Sequence, residues 1–228
     1  MTKNDTEETN AKQLSFAVNG TNYKSNDPVL SGRDILQKAG FKPASDHVLI
    51  ELTNPGTRSV GLDETVDLAI PGREAFYAFS SDRVYNFTAD ELGYEWGAPT
   101  IAEAQLREVT GADDSLVFVL ERTDQPDQVI EEGESVDLNA KGTEHIRTKK
   151  RIVHIIVNAR EYEVPGPKIT YDQVVALAFN PVPSGPEVLF TVTYRKGPPQ
   201  NPKGTLPEGQ SVTIKNGMIF NVTQTNRS

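Results

Sequence analysis

Few side chains in this chain are of a type and spacing that could do chemistry. The three histidines, His47, His145 and His154, never stand at the i, i+4 distance that turns two imidazoles toward one metal ion from a helix. They read as structural or solvated, and no metal site is expected. The acidic pair Asp113-Asp114 follows Gly111, where a helix should end, and reads as a turn; paired catalytic carboxylates need a second group converging from elsewhere, and none can be identified. The absence of cysteine removes thiol nucleophiles, thioester carriers, thiolate metal sites and disulfides together. Neither a P-loop nor a dinucleotide fingerprint is present. The reading is therefore of no catalytic residue, no cofactor and no enzyme.

Two further features invite a functional reading. Lys149-Lys150-Arg151 reads as a hydrated linker, with a processing or docking site as the alternative. The lone Trp96 reads as a partly buried aromatic, with an anchor for an inter-domain contact or a partner as the alternative. The formal net charge of -9 repels phosphate backbones and anionic lipid, so neither nucleic acid nor a membrane is an expected partner. Residues 1–13 lack the apolar core of a signal peptide, and no later run approaches a membrane span. A soluble, cytoplasmic protein with a disordered tail over residues 1–11 is the expectation.

The elements that must position these residues come in three copies. Ser31-Gly32-Arg33-Asp34, Thr100-Ile101-Ala102-Glu103 and Thr170-Tyr171-Asp172-Gln173 each set a hydroxyl three residues before an acid or amide, the arrangement that satisfies the orphan amide donors of a helix start. These starts lie 69 and 70 residues apart. Each opens a short amphipathic stretch, closed by Gly40, Gly111 and Asn180, residues that suit a left-handed cap.

Upstream of every helix, two alternating apolar runs flank a tight polar turn, at Asn19-Gly20, Ala89-Asp90-Glu91 and Asn158-Ala159-Arg160. A tyrosine follows each turn, at Tyr23, Tyr94 and Tyr162. Downstream come the β-rich runs Val48–Leu52, Leu116–Leu120 and Val188–Val192, then a polar turn before Val66, Val136 and Val212, then a last short strand over 75–79, 144–147 and 218–223. The valines are 70 and 76 residues apart, so the third copy carries six extra residues; its Pro/Gly-rich 196–204 stretch is expected in a surface loop.

Hairpin, helix and two further strands, with the helix on the apolar face of a mixed four-stranded sheet, is an α+β plan, the β-grasp. Three such ubiquitin-like domains are expected over 12–82, 83–150 (diverged) and 151–228. Each is about the size at which one core is marginal alone.

In the third copy, Ile156-Val157-Asn158, Ile169 to Val175, Thr191-Val192-Thr193-Tyr194, Glu208-Gly209 and Gly217 to Val222 resemble the bacterial multiubiquitin domain. The first two copies resemble diverged versions of it. The resemblance implies a ubiquitin-like modifier whose partners are activating, conjugating and peptidase-like proteins. It implies that the functional terminus is Asn226, Arg227 and Ser228, where conjugation or processing would act. The sequence departs from familiar modifiers there, since its last glycine is Gly217, inside the predicted fold. Activation would then have to accept a carboxylate that is not glycine's. Lys24, Lys38, Lys42, Lys168 and Lys196 are surface candidates for acceptors. The alternative reading is a non-covalent scaffold, with possible self-association through exposed sheet edges.

Overall fold

The computed structural model describes residues 13–139, 142–185 and 187–226. The expected tail over residues 1–11 lies outside them. The chain forms two compact units: repeats one and two make the first, and repeat three, with residues 113–117, makes the second.

In repeat one, β1 (Leu14–Val18) and β2 (Thr21–Ser25) form the hairpin, and β3 (Val29–Ser31) leads into α1 (Gly32–Lys38). Then follow β4 (His47–Leu52), β5 (Thr57–Val60), β6 (Thr65–Asp67) and β7 (Ala75–Ser80). Repeat two runs β8 (Tyr85–Ala89), β9 (Leu92–Trp96), β10 (Thr100–Ala102), α2 (Glu103–Thr110), β11 (Leu116–Leu120), β12 (Gln128–Ile130), β13 (Ser135–Asp137) and β14 (Glu144–Lys150). Repeat three runs β15 (Ile152–Val157), β16 (Arg160–Pro165), β17 (Lys168–Thr170), α3 (Tyr171–Ala178), β18 (Val188–Arg195), β19 (Lys203–Leu206), β20 (Ser211–Thr213) and β21 (Met218–Asn226).

Each repeat builds one five-stranded sheet, ordered β2-β1-β7-β4-β5, β9-β8-β14-β11-β12 and β16-β15-β21-β18-β19. The first and last strands of a repeat lie side by side and parallel at its centre. A two-stranded sheet precedes each helix, and there the valines singled out above pair with an apolar partner: Leu30↔Val66, Ile101↔Val136 and Ile169↔Val212. Alternation along the strands sends one face of each sheet under its helix, and three separate apolar cores result. Phe16, Leu36 and Phe76, then Phe87, Leu106 and Phe118, then Ile155, Val174 and Phe220 are central to them.

Four local expectations need correction. The sheets have five strands and not four, because Thr57–Val60, Gln128–Ile130 and Lys203–Leu206 pair with β4, β11 and β18. Runs of three or four residues beside Gly and Pro carry too little alternation to stand out. The 196–204 loop accordingly ends two residues early, since Lys203 and Gly204 belong to β19. Helix α2 is capped at Ala102, not Thr100, with Gln105 Oε1 accepting the Ala102 amide at 3.0 Å; Thr100 is already spent in β10 opposite Asp137. Ser31 and Thr170 do cap α1 and α3 as read, with Asp34 and Gln173 returning the bond.

Asn180 is not a left-handed closer. Helix α3 ends at Phe179 in extended backbone (φ -133, ψ 123), whose ring lies 5.2 Å from Phe190, and Asn180 precedes Pro181, which disfavours the helical region. Gly40 and Gly111 do take positive φ, +89 and +70.

Candidate functional site

The hairpin turns tie the repeat together. Asn19-Gly20, Asp90-Glu91 and Asn158-Ala159 all have both φ angles positive, the geometry that matches the twist of a two-residue hairpin, and two of the three reach it without glycine. The first turn residue then grips the closing strand. Asn19 Nδ2 donates to the Ala78 carbonyl at 3.1 Å while its Oδ1 accepts the Ala78 amide at 2.9 Å. Asn158 does the same to Val222, at 3.1 and 2.8 Å.

In repeat two the residue is Asp90, whose side chain has no N–H to give. Its Oδ1 accepts the Thr148 amide at 2.8 Å, and the Thr148 hydroxyl supplies the missing proton to Oδ2 at 2.7 Å. The recurring tyrosines also have a use, for Tyr23 and Tyr162 donate to Ala39 and Leu177 carbonyls at 3.3 and 2.8 Å, capping orphan acceptors at the ends of α1 and α3.

Past this clamp the repeats differ. β7 and β14 end two residues beyond Ala78 and Thr148, but β21 continues four residues beyond Val222 to Asn226, paired with β18 as far as Val188↔Asn226. The β15 hairpin has already ended, its last pair with β21 being Val157↔Phe220. Thr223, Gln224 and Thr225 are exposed. Of the three terminal residues singled out from the sequence, Asn226 is thus the last residue of a strand, while Arg227 and Ser228 lie outside the described residues.

A second site joins repeats one and two. Trp96 is fully buried, its ring 4.7 Å from Phe79 and 4.9 Å from Tyr77, and its Nε1 donates to the Thr100 carbonyl at 3.1 Å. Tyr77 and Phe79 belong to repeat one, on the sheet face turned away from α1, and pack on the core of repeat two. The tryptophan is thus buried more completely than the partly buried aromatic expected, and it is at the same time the inter-domain anchor of the alternative reading. Beside it the edge strands β5 and β9 meet, the Thr57 hydroxyl donating to the Glu95 carbonyl at 2.6 Å and accepting the Glu95 amide at 2.9 Å, while Glu95 Oε2 takes the Ser59 amide. The Tyr77 hydroxyl donates to Glu108 on α2; burial, and then that carboxylate, raise its pKa.

A profile of the multiubiquitin family matches the chain three times, over residues 14–81, 85–151 and 153–226. The chain belongs to the multiubiquitin family. No curated protein and no solved structure matches it.

The other candidates of this multiubiquitin chain are held locally. His47 Nδ1 lies 3.0 Å from the Pro43 carbonyl, His145 Nδ1 2.8 Å from the Thr88 hydroxyl, and His154 3.8 Å from Glu163. Among the described residues no three His, Asp or Glu side chains gather as a metal group, and no helix is long and apolar enough to cross a membrane. Asp113 makes the expected turn, accepting the Ser115 amide at 2.7 Å. The basic run is not a linker loop: Lys149 and Lys150 end β14, and Arg151 is half-buried, its backbone bonded to Ser115 and its Nε to the Asp114 carbonyl. All five candidate lysines are exposed.

Sequence reasoning missed Glu51. It is fully buried and paired with Arg58 at 2.5 Å and Arg73 at 2.7 Å, at the position where repeats two and three place Leu120 and Tyr194. A lone acid in an apolar strand was the available local signal; its partners lie 7 and 22 residues on.

Proposed function

We propose that this chain is a multi-domain ubiquitin-like modifier, handled by activating, conjugating and peptidase-like partners through the carboxylate that follows repeat three. The observation that supports the reading most is the reach of β21. A strand that runs past its own clamp, with β18 on one side and exposed threonines along it, carries the chain out of the repeat already extended, the form in which an enzyme groove takes hold of a peptide. Family membership over all three repeats supports the ubiquitin-like part. The test is to incubate the full chain with ATP and an activating enzyme from the same genome, and to weigh the products intact. An adenylate or a covalent adduct at Ser228, or at a trimmed end, is the expected result; unmodified chain under every trimming would sink the idea.

A second reading, a non-covalent scaffold that can self-associate, is favoured by the β5–β9 meeting, which is an edge already used for assembly within one chain. Light scattering across concentration separates the two. A chain that stays monomeric and yet forms the adduct is a modifier; one that assembles and forms no adduct is a scaffold.

A further inference from the structure

The helix start is where the repeats part company. In repeat one its first residue is Gly32, where a Cβ would stand 2.5 Å from the Gly61 carbonyl oxygen, and its second is Arg33, paired with Asp63 at 2.9 Å. Repeat one closes this corner and neutralises the acid beside it. In repeat three the same two positions hold Tyr171 and Asp172. The Tyr171 hydroxyl donates to the Phe190 carbonyl at 2.8 Å, and a cavity of about 290 Å³ lies against Tyr171, lined also by Val175, Val182, Leu189 and Phe190.

Two acids, Asp172 and Glu208, line the same cavity. Neither has an ion-pair partner among the described residues. Both stand near enough to the Tyr171 phenol to add to the upward push that burial gives it. Val182 and Leu189 are each 42% exposed, so the walls are apolar surface left to water. Along one side runs a strand edge: β19 pairs only with Val192–Arg195, and among the described residues Val188–Thr191 carries β21 on one side and no strand on the other, where the Val188 amide bonds the Gly185 carbonyl and the Phe190 carbonyl takes the Tyr171 hydroxyl.

We propose that this cavity docks an extended segment of a partner protein that carries an arginine or lysine next to an aliphatic residue. Where repeat one places a cation, Arg33, repeat three places an acid, Asp172, and where repeat one has Leu62 it places a second, Glu208; the positive charge that balances the two comes from the partner. At about the lower limit of small-molecule pockets, roughly 300 Å³, the space suits one or two side chains. The cation sits between Asp172 and Glu208, with charge-assisted bonds to both, and the aliphatic neighbour covers Val182 and Leu189. The segment passes the edge of β18 that no strand covers, where the Val188 amide and the Phe190 carbonyl are already bonded to Gly185 and Tyr171, so its side chains carry the contact. This site stands on repeat three alone and does not depend on conjugation.

The test uses the full chain and a fluorescein-labelled acetyl-Val-Arg-Val-Arg-Val amide peptide. Polarisation should show saturable binding, with the amide resonances of Val175, Leu189 and Phe190 shifting. Asp172→Lys with Glu208→Lys should weaken it about tenfold or more, as should raising the salt. If that double variant does not fold, Asp172→Asn with Glu208→Gln removes the same charge and should move affinity in the same direction. A Gly-Arg-Gly-Arg-Gly peptide of equal charge should bind far less well. Equal binding of the glycine peptide, indifference to both double variants, or shifts confined elsewhere would overturn the proposal. So would concentration-dependent self-association abolished by the same substitutions, which would give the cavity to a second copy.

Discussion

Phe79→Ala would show whether repeats one and two share their stability. The ring belongs to repeat one by sequence and packs on Trp96, in the core of repeat two. A fully buried Phe→Ala change costs about 3–5 kcal/mol; Phe79 is only half-buried, so about 2 kcal/mol is the working figure. That is a factor of roughly thirty in the unfolding equilibrium, and with a urea dependence of about 2 kcal/mol per molar the midpoint falls by about 1 M. Because Trp96 is the only tryptophan, its fluorescence follows the core of repeat two together with the contact that core makes with Tyr77 and Phe79. The expected result is that a substitution in repeat one lowers the midpoint seen by Trp96. An unchanged Trp96 transition, with exchange protection lost only in β4 and β7, would refute a shared unit. Gly97→Ala offers an independent check: its methyl would stand 2.3 Å from Phe79 Cδ2, so it should act in the same direction by overpacking, at a cost of about 1–3 kcal/mol.

Three further outcomes follow from the hydrogen bonds and charges described. Asn158→Asp keeps the left-handed turn but cannot donate to the Val222 carbonyl, and Val222 has no hydroxyl to compensate as Thr148 does; a loss of about 1–2 kcal/mol and faster amide exchange at Val222 are expected, read by native-state hydrogen exchange. The Ser31 side chain, then the Ser31 amide, hold the Asp34 carboxyl below its ordinary pKa; the stabilisation is complete above the unfolded value of about 3.9 and is lost as pH falls through the lower folded one, so α1 should lose exchange protection in acid while the Gln173 cap of α3 does not titrate, and Ser31→Ala should remove the contrast. Burial, then Glu108, raise Tyr77 above the ordinary tyrosine value of about 10; its contribution is complete below that pH and is lost as pH rises toward the folded pKa, so ultraviolet titration should find Tyr77 ionising late, with unfolding of the first unit, and Tyr77→Phe should raise the alkaline midpoint.

The elements legible in the sequence were those whose signal is local. Ser31 and Thr170 announce their helices because a hydroxyl and its reciprocal side chain lie within four residues of each other. Thr100 carries the same letters and fails, because the choice between cap and strand was made by pairing with Asp137, 37 residues away. The fifth strands were invisible for a related reason: Lys203–Leu206 is a strand only because β18 is beside it. Along β7, Tyr77 and Phe79 alternate with Phe76 and Ala78 as in any half-buried strand, so nothing local says that their outward face meets another repeat. Tyr171 and Asp172 were read only as the first turn of a helix. Their role as cavity wall depends on Glu208 and Leu189, which the fold brings to them.

The parallel pairing of first and last strands bears on how such a chain yields to force. The chain enters each repeat at one end of that central ladder and leaves at the other, through Ala17↔Ala75, Glu144↔Phe87 and Ile155↔Met218. A pull on the two ends of a repeat then runs along the strands, and the bonds between them must slide and break together instead of opening one by one like a zip. Stretched singly between a bead and a surface, each repeat should give way at a higher load than the same repeat pulled across its β1–β2-type hairpin. A molecular motor that threads this chain would meet three such locks in series.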